Sequence, residues 1–186
     1  MHESQLYTGR PEKGSRTDIE ERSYDLLDAL DIVYTRVDHD RAATMDDLAA
    51  AEAVLGCGIA KNLFLTNRQQ TDFYLLIMPG HKPFKTKYLS AQLGCSRLSF
   101  ADDGHMKEYL QTIPGSVSAM ELLFDAGHHV RLVIDKDLMA DEFISGHPGI
   151  STSTLQLKRE DMLKFVASTG HEPTYIDLPD PRTMEE

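Results

Sequence analysis

An α+β fold is what this sequence of 186 residues predicts, with a mixed, mostly antiparallel β-sheet that curls toward a barrel and helices flanking it. Three observations carry that expectation. Two apolar runs, 62–66 and 73–78, are separated by the polar segment 67–72 in the manner of a hairpin. Helical patterns fall irregularly among the strands, without the βαβ alternation that builds a parallel sheet. A hydrophobic content of 41% and a charged content of 26% supply one sizeable core rather than two.

The elements follow in order. Residues 1–16 are polar, carry Gly9, Pro11 and Gly14, and read as an arm ahead of a single domain over 17–170. Thr17-Asp18-Ile19-Glu20 has the capping-box pattern, and Ile19, Leu26, Leu27 and Leu30 share one face of a helix over 18–30. The β-branched stretch 32–37 predicts a strand. Thr44-Met45-Asp46-Asp47 is expected to cap a second helix running to Leu55, followed by the hairpin. A short helix over 88–93, a strand over 97–100 and a helix over 103–110 come next. A turn at 113–118 leads into a short apolar helix over 119–124. Strands are expected over 130–135, 142–145 and 153–157. The last helix runs over 159–169, with Gly170 as its stop, and the tail 171–186, with Pro173, Pro179 and Pro181, is expected to be extended.

Composition removes several functional classes. A formal net charge of -11 argues against a protein that coats DNA or RNA through massed Lys and Arg, although a few cations concentrated at one site could still hold a nucleic-acid end. No apolar run approaches the roughly 18 to 20 residues of a membrane span, and the first thirty residues lack a hydrophobic signal core, so a soluble, cytoplasmic protein with no DNA or membrane partner is expected. Cys57 and Cys95 have no metal-binding spacing and are expected as reduced, partly buried thiols. Neither a P-loop nor a GxGxxG fingerprint is present. Gly115-Ser116-Val117-Ser118-Ala119 lacks the second glycine of a nucleophile elbow. His128 and His129 lack a partner at zinc-ligand spacing and suit a surface turn.

Two residues stand out. Lys61 places a cation at the mouth of an apolar strand, and His147 sits in a Gly-His-Pro-Gly loop. From the residues alone, each reads either as a solvent-facing group or as one held for a ligand, because a buried ammonium is costly without a partner. Asn62 shares that ambiguity.

In order along the chain, Lys61-Asn62-Leu63-Phe64-Leu65-Thr66-Asn67, Gly115-Ser116-Val117-Ser118-Ala119, Asp135 and Gly146-His147-Pro148 with Thr152-Ser153-Thr154 resemble the YbaK-type family of aminoacyl-tRNA deacylases. The similarity spans about residues 18–170 and is greatest to free-standing relatives of the prolyl-tRNA synthetase editing domain, the alanyl-tRNA(Pro) deacylases. The resemblance implies a curled mixed sheet flanked by helices and a pocket for the aminoacylated terminal adenosine of tRNA. It assigns catalysis to Lys61 and Asn62, and substrate binding to Gly115, Ser116, Val117, Ser118, Ala119 and His147. Metal and organic cofactors are not expected. The partners implied are the aminoacylated acceptor end and a prolyl-tRNA synthetase. Ala-tRNA(Pro) is the expected substrate, with Cys- or another aminoacyl-tRNA as the alternative. A noncatalytic tRNA-binding regulator and a small-molecule amidase or esterase are the competing classes. The family's loop usually has proline where Ala119 stands, so this loop is expected to be less rigid or differently shaped. Lys82, Lys85, Lys87 and Arg97 are the candidates for holding the acceptor end, or else form a solvated basic loop.

Overall fold

The computed structural model describes residues 5–41 and 48–184. The first helix, α1, spans Asp18–Ala29, and Thr17 caps it reciprocally: its hydroxyl accepts from the Glu20 amide at 3.4 Å, and the Glu20 carboxylate accepts from the Thr17 amide at 3.1 Å. After α1 the amide of Ile32 turns back to the Leu27 carbonyl, and Asp31 takes a positive φ of 54°. Ile32 and Val33 therefore belong to the turn, and β2 begins at Tyr34 (Tyr34–Asp38). Helix α2 covers Ala49–Leu55. The expected cap at Thr44 to Asp47 lies outside the described residues.

The strands form two sheets. The first is antiparallel, in the order β1-β2-β8-β7, with β1 at Leu6–Thr8, β7 at Phe143–Gly146 and β8 at Ser153–Lys158. The second runs β5-β3-β4-β6-β9, with β3 at Lys61–Thr66, β4 at Phe73–Met78, β5 at Ser99–Phe100, β6 at Val130–Asp135 and β9 at Thr174–Ile176. The predicted hairpin is β3 with β4, Lys61 facing Met78 and Thr66 facing Phe73. Among the described residues only the β4–β6 and β6–β9 pairs are parallel, so the mixed, mostly antiparallel character holds. The expected curl into a barrel does not. Closure would need the edge strands to pair with one another, whereas β1, β5, β7 and β9 are short, at 3, 2, 4 and 3 residues, and remain edges.

The second sheet is covered on both faces, which explains why β4 is apolar throughout rather than alternating. Phe73, Leu75 and Ile77 join the main core beneath Tyr24 and Leu27 of α1, Met106 and Leu110 of α4 (Asp103–Leu110), and Met162 and Phe165 of α5 (Arg159–Ser168). Tyr74, Leu76 and Met78 face a second cluster with Leu89 of α3 (Thr86–Leu93) and with Ile176 and Leu178 of the C-terminal segment. That segment adds β9 to the sheet, but the tail is not extended throughout: Pro181–Thr183 form a 3₁₀ turn capped by Asp180. The short helix over Ala119–Phe124 is a 3₁₀ helix, and Gly170 follows α5 with φ +84°. No helix among the described residues is long and apolar enough to cross a membrane.

Candidate active site

The order of strands in the second sheet leaves a gap. β5 pairs only with Leu65 and Thr66, so among the described residues the first half of β3 has β4 on one side and an open edge on the other. The Ala101 amide donates to the Phe64 carbonyl at 2.9 Å, which sets the side on which even-numbered residues of β3 present their peptide groups. Strand alternation then turns the N–H and C=O of Asn62 toward the open edge. At this edge is a cavity of about 410 Å³. Leu48, Phe64, Met106 and Val117 form its apolar wall, and Lys61, Asn62, Asp103, Gly115 and His147 border it as well. Lys61, Asn62, Gly115 and His147, far apart in the chain, thus meet at one hollow.

His147 is 6% exposed. Its Nδ1 lies 2.9 Å from the Ser153 carbonyl, which can only accept, so Nδ1 carries the proton and Nε2 is left as an acceptor. Burial pushes the imidazole below its ordinary pKa, against the pull of that carbonyl, and keeps it neutral. The turn that presents it requires Gly149: φ is +100°, and a Cβ there would fall 2.3 Å from Cγ2 of Ile19.

Of the five loop residues expected to bind substrate, only Gly115 and Val117 border the cavity. Ser116 and Ser118 are buried behind it, because successive residues of an extended segment point to opposite sides, and Ala119 is buried as the first residue of the 3₁₀ helix. The two serines are braces. The Ser116 hydroxyl donates to Oγ of Ser151 at 3.2 Å, and the Ser118 hydroxyl donates to the His147 carbonyl at 2.7 Å. The Ser118 amide donates to the Glu121 carboxyl, which completes a capping box on the 3₁₀ helix. The expected looseness of a loop lacking proline is therefore offset by buried hydrogen bonds to the His147 turn.

Glu121 is fully buried, and burial raises its pKa well above the ordinary carboxyl value against the backbone N–H groups that favour the anion. The folded state keeps a proton that the unfolded chain releases, so this contribution is complete below the ordinary carboxyl pKa and fades as pH rises toward the raised one. Glu121→Gln, with no proton to lose, is expected to gain thermal stability relative to wild type as pH rises above the ordinary carboxyl pKa. Glu121→Ala, which removes the cap and orphans the Ser118 amide, is expected to lose about 2 kcal/mol or more in urea unfolding.

Lys61 is half-buried, and alternation along β3 sets it on the same face as Leu63, opposite Asn62 and Phe64. Its ammonium donates to the Lys82 carbonyl at 2.8 Å. Burial first, and the nearby Arg182 second, push its pKa below the ordinary lysine value. The Asn62 side chain donates to the Ala60 carbonyl at 3.3 Å.

One expectation about the acceptor end is corrected. Lys82 is 2% exposed, and its ammonium is held by Asp135 at 2.7 Å, Asp137 at 2.6 Å and the Leu178 carbonyl at 2.8 Å. Burial opposes the charge, but the two carboxylates outweigh it and keep the pKa above the ordinary lysine value. With its donors engaged inside the protein, Lys82 cannot hold a phosphate. Lys85, Lys87 and Arg97 are exposed and border a separate hollow beside the cavity. Sequence reasoning missed Phe64, Asp103, Met106 and the exposed Phe100 as cavity residues, because only the fold brings them to the edge of β3. Among the described residues no three His, Cys, Asp or Glu side chains converge as a metal centre would require.

A family model for the aminoacyl-tRNA editing domain matches residues 39–165, a range that holds Lys61, Asn62, Gly115 and His147. The chain belongs to the aminoacyl-tRNA editing domain family. Its activity is accordingly that of an aminoacyl-tRNA deacylase, an ester hydrolase that edits mischarged tRNA. The chain is 31% identical over 152 residues to the prolyl-tRNA editing protein ProX of Acetoanaerobium sticklandii, covering 82% of this chain and 93% of that protein. It is 30% identical over 167 residues to the prolyl-tRNA synthetase associated domain-containing protein 1 of Mus musculus, covering 88% and 96%. A crystal structure described as "a putative trans-editing enzyme for prolyl tRNA synthetase" superposes with a TM-score of 0.66 at 16% identity, covering 88% of this editing domain and 98% of that chain. At that identity the likeness establishes the shared fold.

Proposed function

We propose that this editing domain removes alanine from mischarged tRNA(Pro) in trans, in the cytoplasm and alongside a prolyl-tRNA synthetase. The observation that carries the reading is the convergence of Lys61, Asn62, Gly115 and His147 on one apolar-walled cavity. Relatives that are 30–31% identical over most of the chain, and that carry names tied to prolyl-tRNA editing or to prolyl-tRNA synthetase, support the choice of tRNA.

Among the described residues bordering the cavity none is Ser, Thr or Cys, which favours attack by water or by a neighbouring ribose hydroxyl. For water, its oxygen bonds to the ester carbonyl carbon, the bond to the ribose oxygen breaks, and that oxygen leaves with a proton. The neutral His147 accepts a hydrogen bond at Nε2 from the attacking water. Negative charge grows on the carbonyl oxygen. The Asn62 N–H at the open strand edge and the Lys61 ammonium, swung away from the Lys82 carbonyl on its four-carbon stem, stabilise it. An aminoacyl ester is already activated, so positioning and fixed donors suffice.

A synthetase pocket built for proline cannot strongly reject a smaller side chain, since a missing methylene changes binding by only about 1–3 kcal/mol. A second sieve is then needed. Deacylation of tRNA(Pro) charged with alanine, cysteine, serine or proline tests the reading. Ala-tRNA(Pro) is expected to turn over at least about tenfold faster than Pro-tRNA(Pro). Fastest turnover of cysteine would replace the proposed substrate, and loss of proline at the alanine rate would end the editing assignment.

A further inference from the structure

Phe100 is 62% exposed, although it lies in β5 beside the core. The same side chain borders three adjoining hollows. One is the cavity at β3. The second, about 720 Å³, is bordered by Lys85, Lys87 and Arg97, and the third, about 480 Å³, by Arg68 and Arg97. All four cations are exposed, and none forms a salt bridge among the described residues. No Asp or Glu borders either of these two hollows. In a chain of net charge -11 such a concentration is selective. It also lies where an exposed ring separates a basic groove from an apolar pocket.

We propose that Phe100 is a stacking platform for the nucleotide preceding the terminal adenosine, and that Arg68, Lys85, Lys87 and Arg97 carry the phosphates of the single-stranded tRNA 3′ end toward the cavity. Single-stranded nucleic acids are held by this combination of a cationic track with an aromatic face, because every base has a π-surface and every linkage a charge. Lys85, which joins the loop to α3, and Arg97, which precedes β5, flank the groove from two elements, so the track is built by the fold rather than by one basic run. Geometry also orders the strand: the ester end enters the cavity past Phe100, and the remaining chain leaves over the cations. This inference rests on the reading that the cavity receives an aminoacylated tRNA end.

The test uses the full chain and a short single-stranded RNA of the tRNA 3′ sequence, with 2-aminopurine at the nucleotide before the terminal adenosine. Wild type is expected to bind the RNA and quench the probe through stacking. Phe100→Ala is expected to weaken binding by about 5- to 100-fold and abolish the quench, and Phe100→Tyr to restore both. Lys85→Ala combined with Arg97→Ala is expected to reduce the slope of log affinity against log salt by about 1.4. Equal affinity and equal quenching by wild type and Phe100→Ala would overturn the platform. An unchanged salt slope would overturn the cationic track. Failure of the substrate reading looks different: wild type would bind this RNA yet hydrolyse no charged tRNA.

Discussion

Lys61→Ala is expected to slow single-turnover deacylation by about 100- to 1000-fold, the loss produced when one preorganised donor to a developing oxyanion is removed. Lys61 borders the cavity from the start of β3, where desolvation and Arg182 already hold its pKa below the ordinary lysine value. A partly desolvated ammonium gains more from a developing negative charge than a hydrated one does. Its hydrogen bond to the Lys82 carbonyl is to a neutral acceptor that an oxyanion can outcompete. Lys61→Arg is expected to recover only part of the rate, since a planar guanidinium cannot place a point charge at the same spot. Thermal unfolding of the same variants checks that the fold is kept. Equal rates for wild type and Lys61→Ala would remove the lysine from catalysis.

The largest stability effect is expected at the other lysine. Lys82→Ala would leave Asp135, which is fully buried, without its cation, and breaking a buried pair from one side costs roughly 3–5 kcal/mol. For a chain of this size that corresponds to a fall of about 6 to 20 °C in the melting temperature. The raised pKa of Lys82 places its contribution in full at neutral pH, to be lost only as pH climbs through that raised value. Lys85→Ala, an exposed neighbour three residues on, is expected to change stability by less than about 0.5 kcal/mol. Denaturation by urea separates the two. If Lys82→Ala unfolded like wild type but bound tRNA weakly, Lys82 would return to the acceptor-end site.

That contrast shows where reading the sequence reaches its limit. Lys82, Lys85 and Lys87 form one basic run in the chain, and nothing local distinguishes them. The fold does, by bringing Asp135 of β6 and the Leu178 carbonyl against only the first. The Gly115 loop repeats the lesson. Its residues are consecutive in the chain, yet Gly115 and Val117 face the cavity while Ser116 and Ser118 tie its back to Ser151 and His147. Phe100 and Asp103 carried no local signal at all, since an exposed aromatic and a helix-start aspartate are common in any surface segment.

Local patterns were decisive wherever the physics is local. The Thr17–Glu20 box marks the start of α1, the strand expected over 130–135 is β6 at Val130–Asp135, and the paired apolar runs mark the β3–β4 hairpin. The ordered strings around Lys61, Gly115 and His147 are enough to point to the editing family. Only the tertiary structure split the strands into two sheets, left the first half of β3 with an open edge, and made that edge the wall of a cavity. The reason is range. Capping and alternation act within a few residues, whereas sheet edges, burial of a charge and the lining of a cavity depend on segments tens of residues apart.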